Sequence, residues 1–342
     1  MTNRENLIES LEGRTPERIP FTTYADFGFT EPELSELVAM GFTQAQYASV
    51  VDAETPEVER VVEKTHYNGR TLEMVTLRTS IGSISQTSLD GWIQSYFLKS
   101  PKDYSIMEYI VRNTSFLKNY DAFGRCEERA GDDGITLIAL PRSPMQTILV
   151  DYAGLERLAY HMDEDMCAVS RLAEALFDNL AAHVAIIADG PGRYVHMTEN
   201  MTAETWGGER FRRFHKPVYD KILPVLHRGG KKLYAHYDGK LKSVVHVIGE
   251  TSMDGVESFS EPPEGDMTYR EIRSALPGKY IWSNISLNLF LLPDGELRQW
   301  VREAALSAAP DKRLFALAIL EDIPPNWREK IPVILDALEE IS

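Results

Sequence analysis

The stretch KKLYAHYDGKLKSVVHVIGETSMDGVESF, residues 231–259, decides the fold. Its first eight residues alternate: Leu233, Ala235 and Tyr237 fall on one side of an extended chain, and Tyr234, His236 and Asp238 on the other, because strand side chains repeat every two residues. A polar turn follows, then a helical segment at 241–249, then a second short strand, DGVESF, at 254–259. Such a unit implies two parallel strands joined by a right-handed crossover.

Working outward, the same alternation recurs. Strands are predicted at ITLIAL (135–140), YVHMTEN (194–200), KYIWSNI (279–285) and RLFALAIL (313–320), and helices at 154–188, 207–228, 268–275, 294–307 and 327–340. Toward the N-terminus, residues 3–13 read as a helix capped by Asn3, and Pro16 and Pro20 force an extended segment, IPFTTYAD, at 19–26. Between 71 and 99 the chain is rich in β-branched and aromatic residues, with Gly82 and Gly91 as breaks, which predicts a hairpin excursion. The strand count favours a closed α/β barrel of the (β/α)8, or TIM, type over an open doubly wound sheet, and no GxGxxG follows the first strand. With no internal repeat or Ser/Gly linker, 1–342 reads as a single domain: an N-terminal part, 1–130, holding the first strand and the hairpin, and a regular strand–helix part, 131–342.

Composition narrows the function. The 342 residues carry 36 basic and 52 acidic side chains, a net charge of −16, and no run of Lys and Arg forms a basic stripe, so nucleic acid is not an expected partner. No stretch approaches the ~18 apolar residues of a membrane span, and the opening MTNRENLIESLEGRTPERIP has charges where a signal peptide needs an apolar core. The expectation is a cytoplasmic protein with no membrane partner. Cys126 and Cys167 are the only cysteines, and neither lies in a CxxC pair, so any metal must rely on His and carboxylates.

In a barrel of this kind the chemistry sits at the carboxyl ends of the strands. His236 and Asp238, at i and i+2 on one face, are a candidate acid/base pair or metal-ligand pair, or else a satisfied histidine and a turn aspartate. Glu199 and Asn200 close the strand VHMTEN and either reach the site or cap the next helix through Asn200 or Thr202. Glu257, inside DGVESF, either reaches the mouth or is a solvated or ion-paired residue. Glu321 and Asp322 face the mouth or cap the turn before Pro324 and Pro325. The first strand ends in Tyr24 and Asp26 among Phe21, Phe27 and Phe29, an aromatic wall beside a carboxylate or a barrel plug. His196 and the other six histidines read as surface or satisfied core residues. There is no GxSxG elbow, so nucleophilic hydrolysis has no support.

Taken together and in this order, NRENLIESLEGRTPERIPF, SPMQTILVDYAGLERLAYHM, the long run from VHMTEN to YAHYDGKL, DGVESFSEPPEGD, WSNIS and EDIPP resemble the uroporphyrinogen decarboxylase superfamily. The resemblance implies a TIM barrel and either decarboxylation or corrinoid-dependent methyl transfer. True uroporphyrinogen decarboxylases carry an arginine-rich segment after the first strand; here TTYADFGF, 22–29, has no Arg and does have Asp26. Zinc methyltransferases of the superfamily carry an HxC pair and a later Cys. Here HYD, 236–238, stands at the first place and Glu321 near the second, which implies a metal or acid/base set of His236, Asp238 and Glu321, joined by Glu199 or Glu257. The resemblance thus points to a methyltransferase moving a methyl group between a small, methoxy-aromatic type of donor and a corrinoid on a partner protein, with zinc or another divalent metal as a second cofactor. Decarboxylation of a small acid or tetrapyrrole, and a non-catalytic tetrapyrrole- or corrinoid-binding barrel, are the alternatives.

Overall fold

In a computed structural model, which describes residues 1–24, 29–320 and 322–341, eight parallel strands close into a barrel. In chain order they are β1 (Phe21–Tyr24), β2 (Thr43–Ala48), β3 (Gly134–Leu140), β4 (Tyr194–Met197), β5 (Lys232–His236), β6 (Gly255–Phe259), β7 (Tyr280–Asn284) and β8 (Phe315–Ile319). Each pairs with its sequence neighbours, and β8 closes on β1. The expected (β/α)8 barrel is therefore present. Sequence reading missed β2, TQAQYA, because Gln and Ala are weak strand formers and no continuous apolar run announces it.

The chain divides into two compact units, Met1–Val50 with Asn119–Leu140 and Ile187–Ser342, and Val51–Lys118 with Pro141–Ile186. The barrel belongs to the first. In the second, the expected hairpin is a larger feature: a four-stranded antiparallel sheet of Glu59–Tyr67, Arg70–Thr79, Gly82–Leu89 and Trp92–Ser95. Asn68-Gly69 and Asp90-Gly91 supply the positive φ values that two-residue hairpin turns need. The single helix expected at 154–188 is broken by Asp165 into Leu155–Glu164 and Met166–Asp189.

Within the barrel unit, the lumen is filled from below. The N-terminal helix Asn3–Leu11, capped by Thr2 rather than Asn3, buries Leu7 and Leu11 in one cluster with Tyr194, Tyr234, Tyr280 and Trp282. Gly255 is required there: a Cβ at that position would lie 2.6 Å from Tyr280 Cβ and 2.9 Å from Tyr234 Cδ1. Trp282 donates from Nε1 to Thr22 Oγ1 at 2.8 Å, so its one polar atom is satisfied inside the core.

Glu12, just past the helix, anchors this floor. It accepts from Arg193 Nε at 2.6 Å and Tyr194 OH at 3.0 Å, and pairs with Lys232 Nζ at 3.0 Å. Burial alone pushes its carboxyl up, but the bonds from Arg193 and Lys232 override that and hold it at about 2, below the ordinary 4.5. A carboxyl with a lowered folded-state pKa stabilises the fold above its unfolded value and loses that contribution as pH falls through the folded value. The stability difference between wild type and Glu12→Gln is therefore expected to shrink between pH 4.5 and about 2, as read from urea midpoints at a series of pH values. A difference independent of pH across that window would contradict the assignment.

Candidate active site

The strands bring three ionisable side chains from consecutive positions around the barrel to one place. His196 ends the lumen-facing series of β4, two residues after Tyr194. His236 is the last residue of β5, and in register it lies beside Glu257 of β6. Glu257 Oε2 accepts from His196 Nε2 at 3.0 Å and from His236 Nδ1 at 2.6 Å, and Glu257 Oε1 accepts from the Tyr24 hydroxyl. Glu257 is fully buried, His196 is 2% exposed and His236 16%, so solvent meets the cluster through His236.

Electrostatics keep this carboxylate ionised. Burial pushes Glu257 up, but the positive charge on His236 and the hydrogen bonds from both imidazoles outweigh it and hold the group well below the usual carboxylate range. Tyr24 and Tyr47 are pushed well above the ordinary tyrosine value, first by burial and then by the Glu257 charge, so both stay protonated. Their rings frame the cluster: the Tyr47 centroid lies 4.9 Å from Tyr24 and 5.0 Å from His196.

A β-bulge shapes the mouth. Register with β7 shifts between Glu257 and Phe259, and Ser258 between them has φ 66°, a conformation that is costly for a residue with a Cβ. Strict alternation would aim Phe259 to the same side as Glu257. After the bulge its ring instead lies 5.6 Å from that of Tyr269, on the helix Tyr269–Ala275.

Other expected residues lie elsewhere. Glu199 is fully buried, but its Oε1 accepts from Tyr219 OH at 2.5 Å, and Tyr237 OH donates to Tyr219 OH at 2.7 Å. Tyr219 lies on the helix Lys216–Arg228, so Glu199 is bonded to a buried tyrosine pair, and it is not among the ligand atoms that gather within 4.8 Å of one another. Asn200 is exposed with φ 52°, and Thr202 takes the N-cap position of the following helix. Asp238 lies past the end of β5, half-buried, and is not among the ligand atoms that gather within 4.8 Å of one another. Asp26 and Glu321 fall outside the described residues. Of the candidate residues, Tyr24 and His236 are brought together through Glu257. His196, which reads from sequence as a surface or satisfied core histidine, belongs to the cluster: its partner Glu257 lies 61 residues on, and within its own strand only the parity of YVHM with Tyr194 in the lumen signals it.

No family model matches the chain, and no curated protein matches it. Among solved structures, the chain is similar to a methyltransferase from Methanosarcina mazei, with a TM-score of 0.60 and 10% identity over 99% of each chain. The likeness is one of fold. An endoglucanase, at 8% identity, covers 96% of this chain and 99% of its own with a TM-score of 0.41. Among the described residues, no helix is long and apolar enough to cross a membrane.

Proposed function

We propose that this barrel transfers a methyl group from a small methylated donor, of the methoxy-aromatic type, to a corrinoid carried by a partner protein. The observation that carries this reading is the His196–Glu257–His236 cluster at the carboxyl ends of β4 to β6, walled by Tyr24 and Tyr47, in a chain whose fold matches a methyltransferase end to end. A methyl ether resists nucleophiles because its oxygen leaves as a poor anion. In the proposed step the acceptor forms a bond to the methyl carbon, the carbon–oxygen bond breaks with its pair left on oxygen, and a positive group at the mouth neutralises that oxygen. His236, the most exposed member, is placed to do so. Glu257 holds the imidazole in orientation, and Tyr24 holds the other carboxylate oxygen. The corrinoid, when bound, supplies the nucleophile. Tyrosine rings suit an aromatic donor, since stacked or edge contacts add about 0.5–1.5 kcal/mol beyond burial.

The test is anaerobic incubation with cob(I)alamin and a panel of methoxylated aromatics, following the loss of cob(I)alamin absorbance and the appearance of the free phenol. At least one donor is expected to give both products in equal amounts. Folded protein that demethylates no member of the panel counts against the methoxy-aromatic class. The absence of Arg from 22–29 leads to a further expectation: the protein will not form coproporphyrinogen from uroporphyrinogen, whose many carboxylates need such partners. Turnover on the order of 1 per second in that assay would overturn it.

A further inference from the structure

We infer that His196, His236 and Glu257 form the ligand set of a first-row transition-metal dication, on β4, β5 and β6, in place of the His236–Asp238–Glu321 set that the sequence suggests. The inference rests on the geometry of these side chains and holds whether or not the donor is a methyl compound. One ligand atom from each residue lies within 4.8 Å of the others, and all three residues are buried or nearly so. A cation about 2.0–2.2 Å from nitrogen and oxygen ligands holds tetrahedral ligand atoms roughly 3.3 Å apart. The observed separations from Glu257 Oε2 are 3.0 Å for His196 Nε2 and 2.6 Å for His236 Nδ1. Opening them by about 0.3 and 0.7 Å makes room for the ion, a change within side-chain rotation on a fixed barrel frame.

Protonation is compatible with this. In the metal-bound site both imidazoles are neutral, so His236 releases one proton as the ion binds, the ion takes over its positive charge beside Glu257, and each ring keeps its remaining proton on the nitrogen away from the metal. For His196 that nitrogen is Nδ1, which has Thr198 Oγ1 at 3.5 Å to accept the proton. Glu257 keeps the Tyr24 hydroxyl on its second oxygen. Such outer partners fix the orientation of metal ligands. The donor chemistry selects the ion: two imidazoles and one carboxylate suit zinc, iron(II) or cobalt(II), whereas magnesium and calcium favour all-oxygen shells. Without a thiolate the site is harder than a thiol-activating zinc centre, which favours an oxygen-bearing ligand in the open position.

The experiment uses the full chain stripped with chelator and titrated with Zn2+ and Co2+. One equivalent is expected to bind, with a visible Co2+ absorption band, and Mg2+ at the same concentration should not compete. His196→Ala and Glu257→Gln should each weaken binding at least 100-fold, and Asp238→Asn less than threefold, with unchanged far-ultraviolet circular dichroism. If His196→Ala fails to fold, His196→Gln replaces it, and X-ray absorption of the zinc-loaded wild type counts imidazole ligands directly, with two expected. No binding by the wild type would overturn the site. So would a spectrum with one imidazole, or binding lost in Asp238→Asn and kept in the His196 variants.

Discussion

Glu257→Ala is expected to lower stability by about 3–5 kcal/mol and methyl transfer by at least 100-fold. Three donors converge on this carboxylate: His196, His236 and Tyr24. A buried donor left without its acceptor costs about 1–3 kcal/mol, and partial refilling by water keeps the sum below the maximum. Activity falls because His236 loses the group that orients it, and positioned acid/base groups are worth ~10²–10⁴ in rate. Glu257→Gln separates the two effects, since it keeps volume and one acceptor while removing charge. It is expected to cost less than half the stability of the alanine variant and most of the activity. Urea unfolding and initial rates check both. Equal stability of wild type and Glu257→Ala would mean that the carboxylate is not the centre of the cluster.

Trp282→Ala is the second large effect. Trp282 lies in the lumen, fully buried, packed against Tyr280 and Tyr234 at ring-centroid distances of 5.9 and 6.3 Å. Truncating a buried tryptophan costs about 3–5 kcal/mol through lost transfer energy and a residual cavity. Here Thr22 Oγ1 also loses its donor. In the layer formed with Tyr280, Tyr194 and Tyr234 each precede a cluster histidine, His196 and His236, by two residues on the same strand. Loosening this layer should therefore also reduce activity more than a surface change does. Trp282→Phe, which keeps most of the ring, should recover more than half the loss in urea midpoint.

The barrel was legible because parallel strands are buried on both faces and announce themselves as short apolar runs: ITLIAL at 135–140, KYIWSNI at 279–285 and RLFALAIL at 313–320 all contain barrel strands. The strand Thr43–Ala48 was not legible, since its lumen residues Ala45 and Tyr47 alternate with glutamines that look like surface. At the site, the visible pair His236 and Asp238 drew attention along one strand, whereas the actual contacts run across strands. His236 and Glu257 are 21 residues apart and His196 and Glu257 are 61 apart, so proximity appears only once the strands are in register. Glu199 misled for a related reason. It follows the strand Tyr194–Met197 closely, yet the turn there directs its carboxylate to Tyr219 on a helix.

The most direct measurement is single-turnover transfer of a deuterated methyl group from a methoxylated aromatic donor to cob(I)alamin, comparing wild type with His236→Ala. Methyl transfer at this cluster predicts that the wild type puts the label on cobalt with one phenol released per label. The folded variant should be slower by at least 100-fold. Equal single-turnover rates for the two proteins would contradict a role for the His196–Glu257–His236 cluster in the reaction.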